Sequence, residues 1–195
     1  MGISDQERAA LKKNYSFFLK KLSFYSEGKQ LLLKNPVNTA RIQFLLSLFP
    51  KAKFIHIHRN PYDIFESMKN MRKKVSKVSQ LNSISDAQLE KNIINQYLDL
   101  MEAYFVQKEQ VPEFQLSEIG YDDLVDNPIN EIKRVYEQLK LDYSDDAFNA
   151  MNQYLSTLTN KKSNFTLSNE NKKYIRRRWA FAFEKLGYVD EIDSS

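Results

Sequence analysis

The stretch KFIHIHRNPYDIFESMKN, residues 53–70, constrains the fold most, because it joins an apolar run to a helix through one arginine. The short run KFIHIHR, bounded by turn residues, predicts a buried strand. Asn60 and Pro61 predict a helix start, since Asn is a favoured cap and Pro suits the first helical position. Ser67 falls on that helix, eight residues after Arg59. The pattern therefore places an arginine where a strand ends and a helix begins.

Two further short runs predict strands that end at candidate functional residues. LLLK is closed by Asn35-Pro36 and predicts a buried strand ending at Lys34. EFQLSEIGY predicts a third strand ending near Tyr121. Strands that alternate with helices are typical of an α/β fold, with a parallel sheet flanked by helices on both faces. Helices are predicted over residues 4–28, 39–49, 85–110 and 168–187 and also after Pro61 and after Pro128, with a polar loop over residues 76–85.

Composition narrows the class of protein. The chain has 195 residues, 42% of them hydrophobic, which predicts one domain over residues 1–195 with a sizeable core. It has no cysteine, no apolar run of membrane-spanning length and no apolar signal core, so we expect a cytoplasmic protein without a membrane span. The net charge of +4 permits an anionic ligand. No nucleic-acid partner is expected, because that interaction usually requires a concentrated basic stripe.

The predicted strand ends suggest an anion site. In parallel α/β sheets, ligands bind at the carboxyl ends of the strands. Arg59 offers a planar fork of donors, and the N–H groups that begin the next helix are unpaired and electropositive. The alternatives are a surface arginine, an ordinary helix-surface serine at Ser67 and a solvated lysine at Lys34. His56 and His58 lack a third ligand, so they predict strand histidines and no metal site.

The segments LLLKNPVNTARIQFLLSLFPKAKFIHIHRNPYDIFESMKN and IGYDDLVDNPINEIKRVYEQLKL resemble the sulfotransferase family over about residues 30–188. The resemblance implies a P-loop NTPase-like sulfotransferase fold and 3′-phosphoadenosine 5′-phosphosulfate as the sulfuryl donor, without a metal. It implies that Arg59 and Ser67 hold the donor's 3′-phosphate and that Tyr121 lies near the adenine. Lys34 corresponds to the catalytic lysine, which stabilises the bridging oxygen as the bond to sulfur breaks. The acceptor would be a hydroxyl or an amine.

Two departures from the family pattern give further expectations. Many relatives carry a histidine two or four residues after the lysine, where this chain has Pro36 and Asn38. The four glycines are scattered, and no loop that would hold the 5′-phosphosulfate precedes Lys34. The sequence is therefore interpreted as an N-terminally incomplete sulfotransferase fold, with self-association through exposed strand edges expected. The alternative function is a non-catalytic module that binds an adenine nucleotide or a partner. A nucleic-acid-binding domain is disfavoured.

Overall fold

Two parallel strands form the sheet, β1 (Phe54–His58) and β2 (Leu116–Gly120). The structure is a computed structural model that describes residues 4–79, 84–158 and 167–188, with the side chains of residues 76–79 also outside the description. Phe54 pairs with Leu116 and His58 with Gly120, so both strands end at the same edge. The predicted strands around KFIHIHR and EFQLSEIGY are confirmed.

Eight α-helices surround this sheet in the described ranges. The predicted helix starts at Ser4, Ser85 and Ser168 are confirmed, because each hydroxyl caps its helix by accepting a backbone N–H bond. At the other end, Gly187 terminates the last helix in the left-handed conformation that glycine adopts readily. The helices are α1 (Asp5–Tyr25), α2 (Ile42–Leu48), α3 (Pro61–Ser79), α4 (Asp86–Lys108), α5 (Tyr121–Asp126), α6 (Pro128–Gln138), α7 (Asp145–Ser156) and α8 (Asn169–Leu186).

Residues 31–34 do not form the buried strand that their composition predicts. They are irregular, with Leu32 90% exposed and Leu33 41% exposed. Three leucines favour burial, but a strand also needs a neighbour to satisfy its backbone groups. No described strand pairs with this run. Lys34 consequently lies in an exposed irregular segment and not at a strand end.

Three smaller expectations also differ from the structure. The helix predicted over residues 39–49 is shorter, because a 3₁₀ helix (Pro36–Ala40) precedes α2. α3 continues to Ser79, so the first part of the predicted polar loop is helical, and residues 80–83 of that loop lie outside the described residues. α6 begins at Pro128 as predicted, but the Asn127 side chain makes no capping bond.

The core lies on both faces of the sheet. The larger cluster joins α3, α4 and α8 around Trp179, whose side chain is fully buried and whose indole N–H donates to the Ile94 carbonyl at 3.1 Å. The smaller cluster packs Ile119 of β2 against α6. This arrangement confirms a helix-flanked parallel sheet. It holds the carboxyl ends of both strands at one edge, where Arg59 and Tyr121 follow them.

Candidate anion site at the strand ends

Arg59 and Tyr121 meet directly beyond the two strands. Arg59 follows β1 and Tyr121 follows β2, and the guanidinium carbon lies 4.6 Å from the centre of the tyrosine ring. This is the geometry of a cation–π contact. The Tyr121 side chain is 37% exposed, so part of it is open to a ligand. The sequence placed both residues at strand ends, and parallel pairing of β1 with β2 brings them together.

The start of α3 holds the arginine from a second side. The Arg59 Nε donates to Asp63 Oδ2 at 3.1 Å, four residues along the chain. Asn60 caps the helix as predicted, because its Oδ1 accepts the Tyr62 backbone N–H at 3.0 Å. Pro61 has no N–H and the Tyr62 N–H is taken by Asn60, so the first turn of α3 contributes mainly the positive end of the helix dipole next to the guanidinium. A helix start beside a cation is suited to binding an anion.

Ser67 and Lys34 are the two predicted site residues that do not join the contact between Arg59 and Tyr121. Ser67 lies on α3, two turns beyond Arg59, and is exposed. Lys34 is also exposed, in the irregular segment before the 3₁₀ helix. Within the described residues, no hydrogen bond, ion pair or ring contact joins either side chain to Arg59 or Tyr121. The structure therefore brings two of the four predicted site residues into contact.

Gly120, the last residue of β2, leaves room for the Asp123 side chain of α5. A Cβ at this position would lie 2.5 Å from Asp123 Oδ2, closer than side-chain atoms normally approach. The Asp123 carboxylate therefore occupies space that only glycine leaves free. Asp122 and Asp123 place negative charge in the first turn of α5.

His58 and Tyr188 form a pair at the same edge that the sequence did not predict. The Tyr188 hydroxyl lies 2.8 Å from His58 Nδ1. Burial, followed by the nearby His56, lowers the pKa of His58. Burial, followed by Asp122 and Asp123, raises the pKa of Tyr188. Both shifts favour the neutral forms of His58 and Tyr188, and the hydrogen bond between them ties the end of α8 to the residue before Arg59.

Glu118 lies on β2, two residues before the end of the strand, and three side chains surround its carboxylate. The His56 Nδ1 lies 3.8 Å from Glu118 Oε1, too far for a direct hydrogen bond, whereas the Tyr104 hydroxyl donates at 2.7 Å and Lys108 at 3.1 Å. His56, Tyr104 and Lys108 lower the pKa of Glu118 to about 2, against the opposing effect of burial. The His56 ring also stacks on Tyr104, with centroids 3.9 Å apart. This network holds β1 and β2 to α4 and leaves Glu118 ionised.

Three basic side chains of α3, Lys69, Arg72 and Lys73, bond to polar side chains of α4. Lys69 contacts Glu90 at 2.6 Å, and Lys73 contacts Asp86 at 2.5 Å. Arg72 donates to a side-chain oxygen of α4 as well. These partners neutralise charge that would otherwise attract a polyanion.

In the described part of the chain, no group of three or more His, Asp or Glu side chains is arranged to hold a metal ion. None of the described helices combines the length and apolarity needed to cross a bilayer.

The fold and the site together define a helix-flanked α/β protein that presents an arginine and a helix start to an anion. The family model described as "Sulfotransferase family" matches residues 3–145, and the chain belongs to that family. The resemblance carried by the Arg59 and Tyr121 segments is thereby confirmed.

Mycobacterial proteins are among its relatives. The chain is 29% identical over 166 residues to proteins named omega-hydroxy-beta-dihydromenaquinone-9 sulfotransferase Stf3, from Mycobacterium bovis and Mycobacterium tuberculosis. That match covers 85% of this chain and 43% of each relative. The chain therefore spans less than half the length of the curated relatives it matches.

Solved structures support the fold. Sulfotransferase STF9 from Mycobacterium avium superposes with a TM-score of 0.71 at 17% identity, covering 81% of this chain and 42% of that one. Sulfotransferase STF1 from Mycobacterium tuberculosis superposes with a TM-score of 0.66 at 20% identity, covering 82% and 41%. The predicted P-loop NTPase-like sulfotransferase fold is confirmed by this likeness.

Proposed function

We propose that this chain binds the 3′-phosphate end of 3′-phosphoadenosine 5′-phosphosulfate and belongs to a protein that transfers the sulfuryl group to a hydroxyl or an amine. The observation that carries the proposal is the contact between Arg59 and Tyr121 at the start of α3. An adenine nucleotide needs a cation for its phosphate and an apolar ring face near its base, and these two side chains offer both. The name of the mycobacterial relatives specifies a hydroxylated compound, which favours a hydroxyl acceptor.

The proposal assigns a role to each of the four predicted residues. Arg59 pairs with the 3′-phosphate, and Ser67 adds a neutral hydroxyl from the next turns of α3. Tyr121 lies near the adenine. Lys34 stabilises negative charge that develops on the leaving phosphate, which favours the transition state over the ground state. The exposure of Lys34 and Ser67 leaves both free to reach a bound nucleotide.

The proposed partners include a second polypeptide at the free edge of β1. Phe54 donates its backbone N–H to Gln115 at 2.7 Å, so its side of the strand faces β2. Because backbone directions alternate along a strand, the groups of Ile55 and Ile57 face the opposite edge. No described strand occupies that edge, and these two side chains are 39% and 52% exposed. Unpaired backbone groups at a strand edge, with exposed apolar side chains beside them, favour pairing with another chain.

A transfer assay with labelled donor and a broad acceptor panel tests the enzymatic proposal. The 195-residue chain by itself should turn over slowly or not at all, because Lys34 supplies only part of the charge stabilisation that the donor needs. A separately supplied segment carrying a Gly/Ser/Thr loop for the 5′-phosphosulfate should increase transfer. Lys34→Ala should then abolish most transfer with little change in nucleotide affinity. Robust transfer by the Lys34→Ala variant would remove the lysine from the mechanism, and nucleotide binding without transfer in either arrangement would favour the non-catalytic alternative.

A further inference from the structure

The Arg59 guanidinium is held along one edge and across one face. Its Nε donates to Asp63 Oδ2 at 3.1 Å, and its central carbon lies over the Tyr121 ring, 4.6 Å from the ring centre. Both members of the ion pair are partly buried, with 25% of the Arg59 side chain and 32% of the Asp63 side chain exposed. The two terminal nitrogens make no hydrogen bond to any residue that the structure describes. These two nitrogens are the hydrogen-bond donors of Arg59 that remain available to a ligand.

We propose that Asp63 positions Arg59 for the 3′-phosphate by holding Nε so that the terminal nitrogens stay directed at the ligand. This inference rests on the function proposed above. An arginine side chain has many rotamers, and binding a phosphate with a mobile arginine costs the entropy of ordering it. A carboxylate fixed in the first turn of α3 removes most of that cost before the ligand arrives. Asp63 is therefore a positioning residue and does not itself touch the nucleotide.

If Asp63 positions Arg59, removing the Asp63 side chain should weaken nucleotide binding, whereas simple electrostatics predicts that it should strengthen binding. A carboxylate beside a phosphate site repels the phosphate, so deleting that charge would tighten binding if Asp63 had no other effect. Loss of positioning would weaken binding. Asp63→Ala removes both the charge and the acceptor for Nε. Asp63→Asn removes only the charge, because the amide oxygen can accept from Nε at the same place. The two variants therefore separate repulsion from positioning.

Calorimetry with 3′,5′-diphosphoadenosine as the probe measures both variants. Asp63→Ala should bind roughly two- to fivefold more weakly than the wild type, because losing a charge-assisted hydrogen bond, worth roughly tenfold or more, outweighs the roughly two- to fivefold gained by removing the repulsion. Asp63→Asn should bind roughly two- to fivefold more tightly, because a partly screened repulsion is removed. Glu131→Ala is the matched control, since Glu131 is an acid in the first turn of α6 that accepts from Arg134 at 2.8 Å. That control should leave nucleotide affinity within about twofold, as expected for a surface ion pair.

A second measurement does not require the nucleotide. In the free protein, NMR should show the Arg59 Nε proton exchanging slowly with water in the wild type and in Asp63→Asn, and quickly in Asp63→Ala. Asp63→Ala binding the nucleotide at least as tightly as the wild type would overturn the inference, and so would equal exchange in all three proteins. If the wild type binds no nucleotide while the exchange pattern holds, the proposed function fails and the positioning of Arg59 by Asp63 stands.

Discussion

At the scale of single residues, Glu118 couples the strands to α4 by remaining ionised. His56, Tyr104 and Lys108 lower the pKa of Glu118 from a usual value of 4.5 to about 2. A group whose pKa is lower in the folded state stabilises the fold above its unfolded pKa. That contribution is lost as the pH falls from about 4.5 towards 2. Because the side chain is 34% exposed, solvent screens part of this effect.

Glu118→Gln should therefore destabilise the protein in a pH-dependent way. We expect a loss of about 1 kcal/mol at pH 6, which shrinks as the pH falls through about 4.5 and approaches zero only below about pH 2, where the folded carboxylate is protonated. Urea unfolding followed by circular dichroism between these pH values measures the difference in free energy of unfolding. Glu109→Gln, at an exposed acid just after α4, is the control and should change little at any pH. A Glu118→Gln difference that stays constant with pH would contradict the account.

The sequence predicted the placement of single residues where local chemistry determines it. Arg59 and Tyr121 follow apolar runs that predict strands, and the parallel pairing expected of an α/β fold places both strand ends at one edge. Asp63 looked like any acid in the first turn of a helix, so its bond to Arg59 was not predicted. Tyr188 is 130 residues from His58, and no local pattern reports a contact at that separation. An aspartate four residues after a strand-end arginine was the available signal for the Asp63 contact.

At the scale of elements, the helix starts were predictable and one strand was not. Serine caps act within a few residues, so Ser4, Ser85 and Ser168 identify their helices locally. The run at residues 31–34 has a strand composition, but strand formation depends on a distant partner. The free edge of β1 could not be predicted for the same reason. Ile55 and Ile57 are residue types that favour a strand, but whether another strand pairs on their side depends on distant parts of the chain, and no described strand does so.

Ile57→Lys should weaken self-association of the chain. A lysine at an exposed strand edge opposes pairing with a second strand by placing a charge there. Sedimentation equilibrium should show a concentration-dependent dimer for the wild type and a shift towards monomer for the variant. Met71→Lys makes the same kind of substitution at an exposed position of α3, 53% accessible, and should leave the association unchanged. A wild-type protein that is monomeric at all concentrations tested would refute the edge proposal.

At the scale of the whole molecule, one edge of the sheet concentrates the features that the sulfotransferase family would use. Parallel pairing of β1 with β2 gathers Arg59, Tyr121 and the start of α3, and the core around Trp179 fixes α3 against α4 and α8. Apart from the strand predicted at residues 31–34 and the short helix α5, the order of strands and helices was predictable from their periodicity. The two-stranded extent of the described sheet was not, because it depends on which segments find partners.

The central claim is that Arg59 recognises the phosphate on the 3′ oxygen of an adenine nucleotide. Titration calorimetry with 3′,5′-diphosphoadenosine and with adenosine 5′-monophosphate tests it most directly, because the two ligands differ only in that phosphate. The wild type should prefer the diphosphate by roughly ten- to a hundredfold, the value of one charge-assisted contact, and Arg59→Ala should abolish the preference. Ser67→Ala should reduce it by roughly two- to tenfold, and Arg72→Ala, which removes the same charge from α3, should preserve it. An unchanged preference in Arg59→Ala would contradict the account.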